Sequence, residues 1–214
     1  MEQKLLQFVC IIGTLLLFGS YRMQSQQNEL GEGFYAPKTD QIETLYLYDI
    51  PNSRAGTQVR ATDSITFTSR NGNYADGIGY APDGFQPYHE KLDYGVFLLR
   101  VKKLGVDYSE VFINENTGET TYVNSFQGTF LTWGQFLLNC HSVEFVDTNQ
   151  KTFDHPYITS AGRTANPPYF KVRYVQGDWM EVFLLTSNYE PTGQKAWIRW
   201  RKDGKLLILY NLFS

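Results

Sequence analysis

A short pattern that occurs twice constrains this chain more than any other feature. Asp107-Tyr108-x-Glu110-Val111-Phe112 returns 71 positions later as Asp178-Trp179-x-Glu181-Val182-Phe183. Beyond the following turn the spacing changes once, to 75: Thr117-Gly118 answers Thr192-Gly193, and Tyr122-Val123 answers Trp197-Ile198. One offset held across a strand, then a second held after a single loop insertion, is the trace that a duplicated unit leaves. Chance resemblance between β-rich segments is the alternative. Both copies are short β-branched and aromatic runs punctuated by Gly, Asn and Pro, the signature of antiparallel hairpins.

Composition agrees with strands. Aromatic residues make up 16% of the 214, with 15 Tyr and 15 Phe. Rings favour strands over helices, and so many exceed what small cores need, which places some on the surface. Lys and Arg number 19 against 22 Asp and Glu, a net charge of −3. Without a basic excess, nucleic acid and anionic membrane surfaces are not the expected partners.

Taken in order, the chain opens on an address label. Lys4 supplies a positive start, Leu5–Phe18 an apolar stretch too short to span a bilayer comfortably, and polar residues follow. Residues 1–25 are therefore expected to be a secretory signal peptide, cut after Ser25 or Ser20, with an uncleaved anchor as the alternative. The expected location is exported, periplasmic or extracellular, with no stable membrane insertion once the segment is removed. Cys140 is then the one cysteine left, so no internal disulfide can form. Residues 26–39 read as a flexible lead-in.

The first unit is expected over 40–147, with strands near 42–50, 57–68 and 96–102 and a hairpin around the turn 114–118. Inside it, residues 70–95 form a long loop rich in Gly and Pro, carrying Tyr74, Tyr80, Phe85, Tyr88 and Tyr94. A loop of that length is usually functional or disordered. Its rings either anchor it to the barrel or contact a ligand. Thr132-x-x-Gln135 before Phe136-Leu137-Leu138 is a capping-box pattern that predicts one short helix, followed by a strand at 142–146. Residues 148–156 read as a linker, 157–214 as the second unit, and Lys205–Phe213 as a terminal apolar strand needing cover.

The stretch Lys171–Gly204 resembles the bacterial SH3-like (SH3b) family. The resemblance rests on the Gly177-Asp178-Trp179 turn, Glu181-Val182 after it, and Gly193 with the return strand at Trp197-Ile198. It implies an all-β protein of two tandem SH3-like small barrels with one short helix between them. A single β-sandwich that merely contains the hairpins is the alternative. The family also implies an aromatic groove bounded by two loops, though fold-level likeness names no ligand.

Residues able to carry chemistry are sparse. Cys140-His141 are neighbours in sequence and point apart, so Cys140 would need His89 or His155 brought to it by the fold. Three dispersed histidines and one cysteine offer no zinc spacing, and Asp147-x-Asn149 lacks the Gly and Glu of a calcium loop. The carboxylates around Glu110, Glu115 and Glu119 suit a solvated hairpin. No catalytic residue, metal or cofactor is assigned.

Binding residues are easier to name. Alternation along Trp179–Phe183 separates Met180 and Val182 from Trp179, Glu181 and Phe183, and the return strand separates Ile198 and Trp200 from Trp197 and Arg199. An aliphatic core would leave Trp179 and Trp197 outward. The expected ligand residues are Trp179, Trp197, Glu181 and Arg199, with Tyr108 and Tyr122 by the repeat and Tyr80 and Tyr88 from the long loop. Rings in a shallow groove suit a cell-wall glycan or peptide. Packing of these rings against the other unit is the bland alternative. The function read from this is a secreted, non-enzymatic binding module for a cell-envelope polymer or an extended peptide. Two others stay open: a hydrolase using Cys140, and a structural or inhibitory protein that docks on another envelope protein.

Overall fold

The β-rich runs do form strands, and the two repeated hairpins turn at segments bearing asparagine and glycine, 114–118 and 186–193. The computed structural model describes residues 30–49, 59–69 and 75–213; residues 1–25, expected to be a signal peptide, and Tyr74 lie outside these. In chain order the elements are β1 (Gly33–Pro37), β2 (Thr44–Tyr48), β3 (Asp63–Thr68), β4 (Gly77–Tyr80), β5 (His89–Lys91), β6 (Val96–Lys103), β7 (Tyr108–Asn114), β8 (Glu119–Asn124) and β9 (Gly128–Thr132). Helix α1 (Trp133–Asn139) follows. The remainder is β10 (Ser142–Phe145), β11 (Thr152–Phe153), β12 (Gly162–Arg163), β13 (Tyr169–Gln176), β14 (Trp179–Leu185), β15 (Pro191–Arg199), β16 (Arg201–Lys202), β17 (Lys205–Leu206) and β18 (Ile208–Asn211). The protein is all-β, with one short α-helix among the described residues.

Apart from β4 and β5, which have no counterpart in the second, the two large sheets have the same strand order. The first runs β4-β3-β2-β8-β7-β6-β1-β9, with β5 also on β6, and the second runs β12-β11-β15-β14-β13-β10-β18. Position by position, β10 stands where β1 does, β11 for β2, β12 for β3, β13–β15 for β6–β8, and β18 for β9.

Register repeats as well as order. Glu110 lies opposite Tyr122 and Val111 opposite Thr121, just as Glu181 lies opposite Trp197 and Val182 opposite Ala196. The irregularity preceding each hairpin also recurs, between Val101 and Lys103 in β6 and between Val172 and Tyr174 in β13. The bulged residue is basic in both: Lys102 pairs with Glu110 at 2.7 Å, and Arg173 pairs with Glu181. A bulge turns its side chain out of the pleat's alternation, which is how each cation reaches a carboxylate on the adjacent strand.

The core is divided. One cluster lies wholly within the first sheet and its loops, around Tyr35, Leu45, Leu47, Ile65, Leu99, Val101, Val111 and Val123. The other joins α1 to the second sheet through Trp133, Phe136, Leu137, Phe170, Met180, Val182, Ile198 and Trp200, and also takes Leu30, Phe34 and Leu98 from the first. Alternate residues of β1 thus enter different clusters, Phe34 one and Tyr35 the other. Covering on both faces is why Phe97-Leu98-Leu99 on β6 reads as a continuous apolar run rather than an alternation.

Helix α1 is the wedge between the sheets. Its capping box forms as the sequence predicts: Gln135 N donates to Thr132 Oγ1 at 3.2 Å, and Thr132 N donates to Gln135 Oε1 at 2.9 Å. Trp133 reaches back, its indole donating to the Leu30 carbonyl at 3.0 Å.

Three boundaries differ from expectation. Residues 33–37, read as part of a flexible lead-in, are a buried strand between β6 and β9, because GFYAP is short and its Gly and Pro mask a β-former pair. Ser142–Phe145 and Thr152–Phe153, assigned to the first unit and the linker, pair within the second sheet, so the sheets divide at α1. The long loop contains β4, β5 and a 3-10 turn at Leu92–Tyr94.

Candidate binding face

The second sheet turns Met180, Val182, Ile198 and Trp200 into its core, all 2% exposed or less. Alternation then forces their neighbours outward. Cross-strand pairing sets these outward residues in rows: Lys195–Phe183–Lys171, Phe153–Trp197–Glu181–Tyr174, and Arg199–Trp179–Gln176. Phe153 meets Trp179 edge-on at 5.3 Å, and Tyr174 and Trp197 stand perpendicular at 6.3 Å. Trp179, Trp197, Phe153 and Phe183 are half-buried, and Tyr174 is exposed.

Charge is placed among the rings. The Glu181 carboxylate lies between Tyr174 and Trp197 in the pairing register and is held by Arg173. Asp178, in the turn before Trp179, accepts from Arg201 at 2.7 Å and from Arg199 at 3.4 Å. Those bonds hold its carboxyl below the usual range, Arg201 contributing most and partial burial opposing. Arg199 Nε is buried without a hydrogen-bond partner among the described residues.

The first sheet carries a similar but less aromatic face. Tyr122 lies opposite Glu110 and opposite Tyr48, and Tyr48 meets Tyr108 edge-on at 5.0 Å. Burial alone would raise the Glu110 carboxyl, but Lys102 at 2.7 Å and the Thr120 hydroxyl at 2.8 Å together hold it below the ordinary value.

The eight candidate residues therefore fall in four places. Trp179, Glu181, Trp197 and Arg199 share one face. Tyr108 and Tyr122 share the corresponding face of the first sheet. Tyr80 is on strand β4 of that sheet, half exposed, donating to Asp63 at 3.0 Å. Tyr88 packs between the sheets, its ring 4.8 Å from Phe34 and its hydroxyl 2.7 Å from that of Tyr210. The loop's rings thus serve as anchors at Tyr88 and at Phe85, which stacks on Phe97.

Sequence reasoning missed Phe153, Tyr174 and Arg173. The bulge at Arg173 breaks the period of two on β13, so counting from Val172 puts Tyr174 on the wrong face. Phe153 gives no signal, since two residues make its strand.

Cys140 is fully buried at the end of α1, its thiol donating to the Phe136 carbonyl at 3.4 Å. Burial pushes it up to about 12, with Lys171 opposing, the reverse of what an activated nucleophile needs. Among the described residues no three metal-ligating side chains converge, and no helix is long and apolar enough to cross a membrane. No family model matches the chain, and neither does any curated protein.

Proposed function

We propose that this chain is a non-enzymatic binding module of the cell envelope, exported and built from two SH3-like units. It takes an extended peptide or a glycan strand across the outward face of β13–β15. One observation carries the proposal: Phe153, Tyr174, Trp179, Trp197 and Phe183 lie together on one open sheet face, interleaved with Arg173, Glu181 and Arg199. Rigid rings give contact area at small entropic cost, and the charges among them fix register and direction along a chain-like ligand. The strand order common to both sheets, with a 3-10 turn at Ser125–Gln127 before β9, supports the SH3-like reading.

Co-sedimentation with purified peptidoglycan tests it, comparing the wild type with Trp179→Ala and Tyr108→Ala. Retention weakened about tenfold, roughly 1.4 kcal/mol, by Trp179→Ala in a folded protein is the expected result. The same loss from Tyr108→Ala alone would move the site to the first sheet. A folded wild type that does not sediment removes the wall ligand and turns the face into a protein-docking surface.

A further inference from the structure

We infer that the cleft at the ends of β10 and β18 is a second ligand site, built for a neutral saccharide. It encloses about 400 Å³ and is lined by His141, Ser142, Asn188, Tyr189, Asn211 and Phe213. Its lining shares no residue with the rows of rings on the outward face.

Its origin lies in the one insertion that distinguishes the two hairpins. Phe183 pairs with Lys195 where Phe112 pairs with Thr120, so the second hairpin carries four more residues. That longer tip supplies Asn188 and Tyr189. It is tightly folded on itself: Thr186 N donates to the Glu190 carbonyl at 2.8 Å, Tyr189 N donates to the Thr186 carbonyl at 3.0 Å, and Asn188 N reaches Thr186 Oγ1 at 3.3 Å. The turn holds Tyr189 at φ 62°, a left-handed conformation that a bulky residue rarely adopts. Strain of this kind gathers where a side chain is held for use.

The chemistry of the lining selects the ligand. Tyr189 is backed by Tyr169 at 4.9 Å and flanked by His141 at 5.6 Å, yet remains 39% exposed. Its ring offers apolar surface to the C–H face of a sugar; Phe213, whose own ring packs against Tyr94 at 4.9 Å and Lys91 Nζ at 4.9 Å, completes the lining. Asn188 and Asn211 each carry donors and an acceptor, as hydroxyl groups require. Asn211 is fixed by a bond from its Nδ2 to the buried Ser142 hydroxyl at 3.1 Å, across a paired register position of β10 and β18. Among the described residues that line the cleft, none carries a carboxylate, ammonium or guanidinium. Rings beside oriented amides, without fixed charge, match an uncharged polyhydroxylated ligand better than an ionic one.

NMR titration of the full chain with maltohexaose, cellohexaose and chitohexaose tests this, with hexagalacturonate as the anionic comparator. One neutral hexaose should shift the Asn188 and Asn211 side-chain amides and the Tyr189 backbone amide. Tyr189→Gly keeps the turn, because glycine accepts positive φ, and should weaken that binding at least tenfold, as should Asn188→Ala. Trp179→Ala should leave the shifts of the Asn188 and Asn211 side-chain amides unchanged, whatever it does to binding at the rows of rings, which separates the two sites. The proposal is overturned by the absence of shifts with all three neutral sugars at millimolar concentration. It is equally overturned by tighter binding of hexagalacturonate, or by full binding in folded Tyr189→Gly.

Discussion

The hydroxyls of Tyr88 and Tyr210 lie 2.7 Å apart and join the long loop of the first sheet to the last strand of the second. Both rings also stand near Phe136 of α1, at 6.4 Å and 4.9 Å. Burial raises both phenols, so the pair stays neutral across the physiological range. Tyr88→Phe should cost about 1–2 kcal/mol, because it leaves the partner hydroxyl unsatisfied. The double variant with Tyr210→Phe should cost less than the sum of the singles. Urea denaturation of the four proteins in the cycle measures this directly.

Acid stability should depend on Asp178. Its carboxyl is held below the unfolded value by Arg201 and Arg199, so its contribution is present above the ordinary aspartate range and fades as pH falls through the lowered folded value. Glu110 acts with the same sign. Glu115 opposes them: burial outweighs Arg100 and raises it, so its contribution is present at low pH and lost as pH rises through the raised value. Asp178→Asn should be less stable than wild type at neutral pH and lose less between about pH 5 and pH 2. Chemical denaturation repeated across that range reads the slope.

Helix α1 is seven residues long and too short to persist alone. Its capping box therefore matters to the junction it fills. Thr132→Ala should remove about 1 kcal/mol and lower Tm by roughly 2–4 °C for a chain of this size. A thermal melt followed by circular dichroism checks both the size and the cooperativity of the loss.

Cys140 should behave as a core residue. With a thiol pushed up to about 12 and fully buried, it should react with an aromatic disulfide reagent at pH 8 only on unfolding. Cys140→Ala should retain any binding shown by the wild type and cost about 1 kcal/mol. Rapid labelling of the folded protein would contradict the buried state.

Legibility followed local chemistry. The hairpin β7–β8 and strands β13–β15 were readable because alternation and turn residues sit in the same few positions, and both register offsets survive as cross-strand pairs. Thr132 and Gln135 announced α1 for the same reason. Trp179, Glu181, Trp197 and Arg199 could be placed on one face because a period of two needs only the core side to be known. Tyr174 could not be, since a single bulged residue reverses the parity. Tyr88 gave no sign of its partner, which comes 122 residues later.

By itself the sequence determined the all-β class, the repeated hairpin, the capped helix and the division of each hairpin strand into an inner and an outer face. These depend on contacts between residues close in the chain. Tertiary structure alone decided that β1 lies between β6 and β9, that the sheets divide at α1, that Phe153 joins Trp179, and that Asn188 and Tyr189 meet Asn211 and Phe213 around one cleft. Each is a long-range pairing, set by which surfaces must be covered after the local elements form, and no local pattern encodes that choice.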